Sequence, residues 1–346
     1  MVSRCESVNG KMILYLTEQA KHFTLEGMNK LPRDKRAQIL NLLCEGNSMR
    51  ATSRLADVSI NTVTKLLVDA GRACSDYQDQ ALRNLPCKRI QVDEIWAFCY
   101  SKQKNVPEAK QGEAGDIWTW VAIDADTKLV PSWFVGARDA EHARAFLADL
   151  SSRMAERIQL TSDGWAAYPD SIRDAFPYGI DYAQLVKHYG EVPGAKNEKR
   201  YSPAECVGAE KKPVSGNPDR KHISTSYVER QNLTMRMHSR GFTRLTTAFS
   251  KKAENHVYAV SLHFMFYNFC KLHKTLRVTP AMAAGVTKEL WDVADIVDVL
   301  DAYEAGPIEP GPGGNSDLEP LRGDAETYVP GKLRFQNQSI GKGRLS

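Results

Sequence analysis

Between Pro32 and Gly71 the apolar positions recur at helical spacing. Ile39, Leu42 and Leu43 come first, then a break at Glu45-Gly46-Asn47, then Ala51, Leu55 and Ala56. A further stripe, Ile60, Val63, Leu66 and Leu67, follows the short turn Asp57-Val58-Ser59, where Ser59 is placed to cap the new helix. Two short helices joined by so tight a turn predict a helix-turn-helix at about 32–71, within an N-terminal helical region spanning residues 1–85. A helical hairpin that merely packs would share this pattern. Asn61, Thr62 and Lys65, polar groups on the outward side of the last helix, favour a DNA-reading surface.

From Arg89 the period changes to that of strands. Ile90, Val92, Trp96, Phe98 and Tyr100 alternate with smaller or polar residues, and Ile117 to Asp124 and Leu129 to Gly136 are rich in aromatic and branched residues. A helix over Ala140 to Arg157 and a short strand over Ile158 to Ser162 complete a β-β-β-α-β order. A helix (Trp165 to Ala175) and a strand (Asp181 to His188) come next, and the polar stretch 190–221 reads as a loop or insertion. A helix over Ser224 to Arg240 ends at Gly241, and Lys251 to Leu272 is apolar on nearly every side, as a core helix would be. A C-terminal helix is expected at 286–305, and the Gly- and Pro-rich residues 306–346 are expected to form a disordered or loosely packed tail.

Composition narrows the class. Hydrophobic residues at 42% and charged residues at 25% are ordinary globular usage. The longest apolar stretch, Val257 to Cys270, is too short to span a bilayer, and Met1 to Gly10 lacks the apolar core of a signal peptide. No membrane association and a cytoplasmic location are therefore expected. Seven scattered cysteines, with no pair two residues apart, argue for reduced thiols rather than disulfides or a structural zinc site. The net charge of +4 hides three blocks: 14 Lys/Arg against 9 Asp/Glu in residues 1–90, 14 against 7 in 185–256, and 6 against 11 in 281–346. Two basic blocks suit a polyanion, although solvated surfaces would give the same counts.

Three acids fall where the predicted topology gathers them: Asp93 in the first strand, Asp163 at the end of the fourth, and Glu229 on a later helix, 70 and 66 residues apart in turn. Converging carboxylates repel unless a cation neutralises them, and hard oxygen ligands suit Mg²⁺ or Mn²⁺. Two such ions about 3.5 to 4 Å apart serve phosphoryl transfer. Each acid also has a plainer role open to it: Asp163 as a helix cap, Glu229 as a surface acid. Glu94 is expected outside the cluster, because adjacent strand residues point to opposite faces. Glu229, Asn232, Arg236 and Arg240 share one helical face, a metal ligand followed by groups suited to DNA phosphates.

Val92-Asp93-Glu94-Ile95-Trp96, Trp118-Thr119-Trp120-Val121-Ala122-Ile123-Asp124, Thr161-Ser162-Asp163-Gly164-Trp165 and Tyr227-Val228-Glu229-Arg230-Gln231-Asn232-Leu233-Thr234 resemble, in this order, a DDE transposase of the insertion-sequence-one family. The likeness runs roughly from Gln91 to Gly285 and includes Tyr267-Asn268-Phe269 and Thr279-Pro280-Ala281. It implies an α/β fold: an RNase H-like β-β-β-α-β-α catalytic domain at 86–285, interrupted by the polar insertion at 190–221 and preceded by the helix-turn-helix domain. Asp93, Asp163 and Glu229 would be the catalytic, metal-binding triad for two Mg²⁺ or Mn²⁺ ions, with Arg236 as the basic residue after the glutamate. The segment before the helix-turn-helix departs from the family, holding Cys5 alone in place of a cysteine-rich zinc-binding stretch. The expected partners are double-stranded DNA, as element-end inverted repeats and as target, and further copies of the chain in a homodimer or larger synaptic assembly. An RNase H-like nuclease without strand transfer and a catalytically inactive DNA-binding repressor are the alternatives.

Overall fold

The computed structural model describes residues 6–8, 11–13, 30–190, 206–243 and 249–306. The tail expected beyond Gly306 lies outside the described residues, as does Cys5. Three helices open the main body: α1 (Arg33–Cys44), α2 (Met49–Leu55) and α3 (Ile60–Ala81). Ser48 and Ser59 cap α2 and α3 by accepting from the N–H groups of Ala51 and Thr62. α3 runs ten residues past Gly71, because its apolar stripe continues through Ala70, Ala73 and Cys74 to the buried Gln78.

Three antiparallel strands follow, β1 (Arg89–Cys99), β2 (Gly115–Asp124) and β3 (Ser132–Gly136). β3 begins three residues later than the apolar run suggests. Asn268 takes both backbone groups of Val130 at 3.0 Å, so that residue has none left for a ladder. Helix α4 (Ala140–Arg153), β4 (Gln159–Ser162), α5 (Tyr168–Ala175) and β5 (Asp181–Tyr189) come next. The stretch expected to be a loop contains a sixth strand, β6 (Cys206–Ser215), antiparallel to β5. It is exposed along most of its length, so no apolar alternation marks it, and Pro213 fits its place at a sheet edge. The sheet order is β3-β2-β1-β4-β5-β6, with β4 parallel to both neighbours, a mixed α/β arrangement compatible with an RNase H-like domain.

α6 (Ser226–His238) and α7 (Ala253–Met265), which runs into a π-helical turn at Phe266–Cys270, cover one face of the sheet. Ile95, Ala97 and Cys99 of β1 pack there with Val228, Met235 and Val257. Ile90 and Val92, one position out of phase, pack on the other face with Phe146, Leu147 and Tyr168 of α4 and α5. A short helix α8 (Pro280–Ala283) leads to α9 (Val293–Ala305), which starts seven residues later than 286, where Asp292 and Asp295 form a reciprocal cap.

The three N-terminal helices share their core with the sheet domain, and a boundary at 85/86 does not divide the packing. Val63, Leu66 and Ala70 belong to the same apolar cluster as Ile90, Phe146 and Leu262. The acidic C-terminal block meets the basic N-terminal one: Arg36 holds Asp301 through two bonds of 2.6 and 2.8 Å, while Arg33 and Lys30 reach Asp298 and Glu304. No helix among the described residues is long and apolar enough to cross a membrane.

α3 and α7 meet closely, so that a Cβ on Gly71 would sit 2.4 Å from Cβ of Tyr258. Replacing an interior helical glycine by alanine gains about 0.5–1 kcal/mol, whereas overpacking a core costs about 1–3 kcal/mol or more. Gly71→Ala is therefore expected to lower the urea midpoint of unfolding. An unchanged or higher midpoint would show that α3 and α7 have room to separate.

Candidate active site

The parallel ladder between β1 and β4 joins Arg89–Gln91 to Gln159–Thr161 and goes no further. β4 stops at Ser162 while β1 continues, so Asp93 and Glu94 stand where the sheet has opened. Asp163 is the first residue past the end of β4. Such a crevice beyond the carboxyl ends of parallel strands is a usual ligand position in open α/β sheets.

Carboxylate oxygens of Asp93, Glu94 and Asp163 lie within 4.8 Å of one another. Glu94 is thus part of the cluster, contrary to the expectation from strand alternation. Alternation itself holds, with Asp93 facing Asn232 of α6 and Glu94 facing Tyr168 of α5 on the other side of the sheet, but β4 has ended beyond Gln91 and Asp163 at its tip lies within reach of both. Glu94 accepts from the Tyr168 hydroxyl and from Arg138 Nε at 3.2 Å. Arg138 also approaches Asp163 at 3.8 Å and lies over the rings of Trp118 and Trp165, 5.2 and 5.0 Å from their centroids. Asp163, 42% exposed, accepts from the backbone N–H of Trp165 at 3.0 Å. It closes a local turn and does not cap α5, which begins later with Ala167 at its cap.

Glu229 lines the same cavity as Asp93, Glu94 and Asp163, a space of about 490 Å³. Its carboxylate is not in the tight group of three. Instead it accepts from Lys187 Nζ on β5 and from Thr225 Oγ1, both at 2.5 Å. Burial lowers the pKa of Lys187, but the Glu229 bond and charge outweigh it and raise the ammonium overall. Burial pushes Asp93 up to about 7, assisted by the negative charge of Glu94, Asp163 and Glu229. Burial also raises Glu94, opposed by the Tyr168 and Arg138 bonds.

The helical face after Glu229 divides. Asn232 is 4% exposed and donates Nδ2 to Asp93 Oδ2 at 2.8 Å, so it faces the acid and not the solvent. Arg236 lines the cavity. Arg240 is off that face, because α6 ends at His238 and Arg240 opens a separate 3₁₀ turn, Arg240–Phe242. At the start of α3, Asn61 is exposed, Thr62 Oγ1 pairs with Ser59 Oγ at 2.9 Å, and Lys65 reaches Asp69 at 2.5 Å. Sequence reading missed Arg138, Tyr168 and Lys187, which have no spacing that links them to the acids, and Gln91, which shares β1 with Asp93 but whose partners lie on α6.

All-carboxylate donors suit a hard divalent cation. The raised Asp93 and the buried Oδ1 of Asn232, unpartnered among the described residues, mark a cavity that is short of positive charge and of polar partners. The residues fit a hard divalent cation.

No protein-family model and none of the curated proteins matches the chain. Among solved structures, it is similar to a crystal structure of a pre-cleavage Mos1 transpososome. The identity is 12%, covering 69% of this chain and 78% of that chain, with a TM-score of 0.18. A superposition at that score carries no argument, so the functional reading rests on the site's own geometry.

An acid with a folded pKa raised from 3.8 to about 7 stabilises the fold at low pH and loses that contribution as pH rises through 7. Without divalent cations, Asp93→Asn is therefore expected to raise stability at pH 8 by roughly 1–4 kcal/mol, a gain that shrinks toward pH 4. Chemical unfolding in chelator at the two pH values measures it. A pH-independent difference would mean that Asp93 is not an electrostatic burden.

Proposed function

We propose that the chain is a DDE-type DNA transposase, a metal-dependent polynucleotidyl transferase similar to the insertion-sequence-one family. The observation that carries this reading is the convergence of Asp93, Glu94 and Asp163 at the opened end of β1 and β4, with Glu229 on the same cavity. Acids gathered this close, with Glu94 buried among them, are costly unless they bind cations, and carboxylate-held cations at a surface cavity suit chemistry on phosphodiesters. Mg²⁺ or Mn²⁺, two ions in the full reading, would be held by Asp93 and Asp163 with Glu229, and would supply an activated attacking oxygen and stabilisation of the leaving one.

The chain's own groups do the remaining work. Asp93 must be ionised to serve as a ligand, and Arg138 and Lys187 offset the charge of Glu94, Asp163 and Glu229 until then. Arg236, on the cavity wall, is placed to meet a DNA phosphate. Water would cleave at the element end, and the freed 3′-hydroxyl would attack a target phosphate. Element-end inverted repeats would be read through the helix-turn-helix, where Asn61 is the exposed polar group at the start of α3. Thr62, Lys65 and the solvent-facing Arg240 would add contacts to the DNA. Two ends joined at once call for a homodimer or larger assembly, acting on chromosomal or plasmid DNA in the cytoplasm of a bacterial or archaeal cell.

Asp163→Ala is expected to abolish Mg²⁺-dependent cleavage and strand transfer on element-end DNA while leaving gel-shift affinity intact, since removing a negative charge does not repel phosphate. Retained cleavage would refute the assignment, and cleavage without strand transfer by the unaltered protein would favour the nuclease.

Asn61→Ala is expected to reduce discrimination between repeat and random DNA by about 1–3 kcal/mol. Competition binding at fixed salt reads this, and an unchanged ratio would remove α3 from base recognition.

A further inference from the structure

Two carboxamides tie β1 to α6, reaching in opposite directions. Gln91 of β1 is buried, and its Oε1 accepts from the backbone N–H groups of Tyr227 and Val228 at 2.8 and 3.1 Å. Thr225 at the start of α6 makes no side-chain cap bond, because its hydroxyl is turned to Glu229, and Ser224 Oγ accepts only from the N–H of Ser226. The strand therefore caps the helix and satisfies two of its orphan donors. In the other direction, Asn232 of α6 donates to Asp93 of β1.

The two ties match in spacing. Gln91 and Asp93 are two residues apart on one strand face, a rise of about 6.6 Å, and Val228 and Asn232 are four apart on one helix face, a rise of about 6 Å. Each bond thus holds the other in register. Asn232 is a costly choice for packing alone. Nδ2 faces Asp93, and Oδ1 stays buried without a partner among the described residues. A leucine of similar size would incur no such cost.

We infer that Gln91 and Asn232 are positioning residues that fix Asp93 relative to Glu229, so that the cation site is formed before metal or DNA binds. The inference rests on reading the acidic cavity as a divalent-cation site.

The test is Mn²⁺ binding to the full chain without DNA, by calorimetry, with melting temperature measured on the same samples. Asn232→Leu and Asn232→Ser are expected to weaken Mn²⁺ at least about 10-fold, the usual loss for a residue that orients a ligand. Gln91→Leu should do the same, while Gln91→Glu, which keeps an acceptor for the helix N–H groups, should retain wild-type affinity. A purely structural pair would lower the melting temperature and leave Mn²⁺ affinity unchanged, and that result overturns the inference. If the unaltered protein and Asp93→Ala bind Mn²⁺ alike, the cation-site reading itself falls. If Asp93→Ala loses binding but both Asn232 variants keep it, the clasp alone is wrong.

Discussion

The early end of the β1–β4 ladder is the constraint on which the site depends. Three residue pairs hold the strands parallel, then β4 stops and β1 continues alone beside the gap. Backbone pairing would otherwise fill the space into which Asp93, Glu94 and Asp163 project. Opening the sheet creates a cavity but also gathers acids in a poorly solvated place, and most of the surrounding polar contacts answer that problem. Tyr168 and Arg138 bond Glu94, Lys187 and Thr225 bond Glu229, and Asn232 bonds Asp93. Burial still pushes Asp93 up to about 7, and the negative charge of its acidic neighbours adds to the rise.

The frame around the gap is one packed body. α3 lies on α7 with no room for a side chain at Gly71, and Gln78 of α3 bonds the backbone carbonyl of Ser261 at 3.1 Å. α7 in turn packs under the sheet face that carries Asp93. Lys30, Arg33 and Arg36 hold the acidic α9 against α1, although such pairs at a partly exposed surface contribute little each and mainly fix the fit. The uneven charge along the chain therefore has, in part, an internal explanation.

Much of this was legible in the sequence, for physical reasons that also explain the misses. Asp93 and Asp163 could be found because strands announce themselves by alternation, and a carboxylate inside an apolar strand or just past a strand's end has few structural duties. Glu94 could not, because alternation puts it on the face opposite Asp93, and only the early end of β4 lets Asp163 reach both. β6 was hidden because an exposed edge strand is held by backbone bonds that leave no apolar signature. Arg240 was misplaced when Ser239, and not Gly241, ended α6. Asn232 falls among the expected DNA contacts because periodicity gives a face but not what the face meets. Gln91, Arg138 and Lys187 act across elements, and no local pattern records a contact made 136 or 42 residues away.

The most direct measurement is anomalous diffraction from crystals soaked in Mn²⁺. A peak within ligand distance of both Asp93 and Asp163 is expected, since hard cations seek clustered carboxylates. Full soaking with no anomalous density in the cavity, and Arg138 still placed between Glu94 and Asp163 as their sole neutralising charge, would contradict a metal-dependent site.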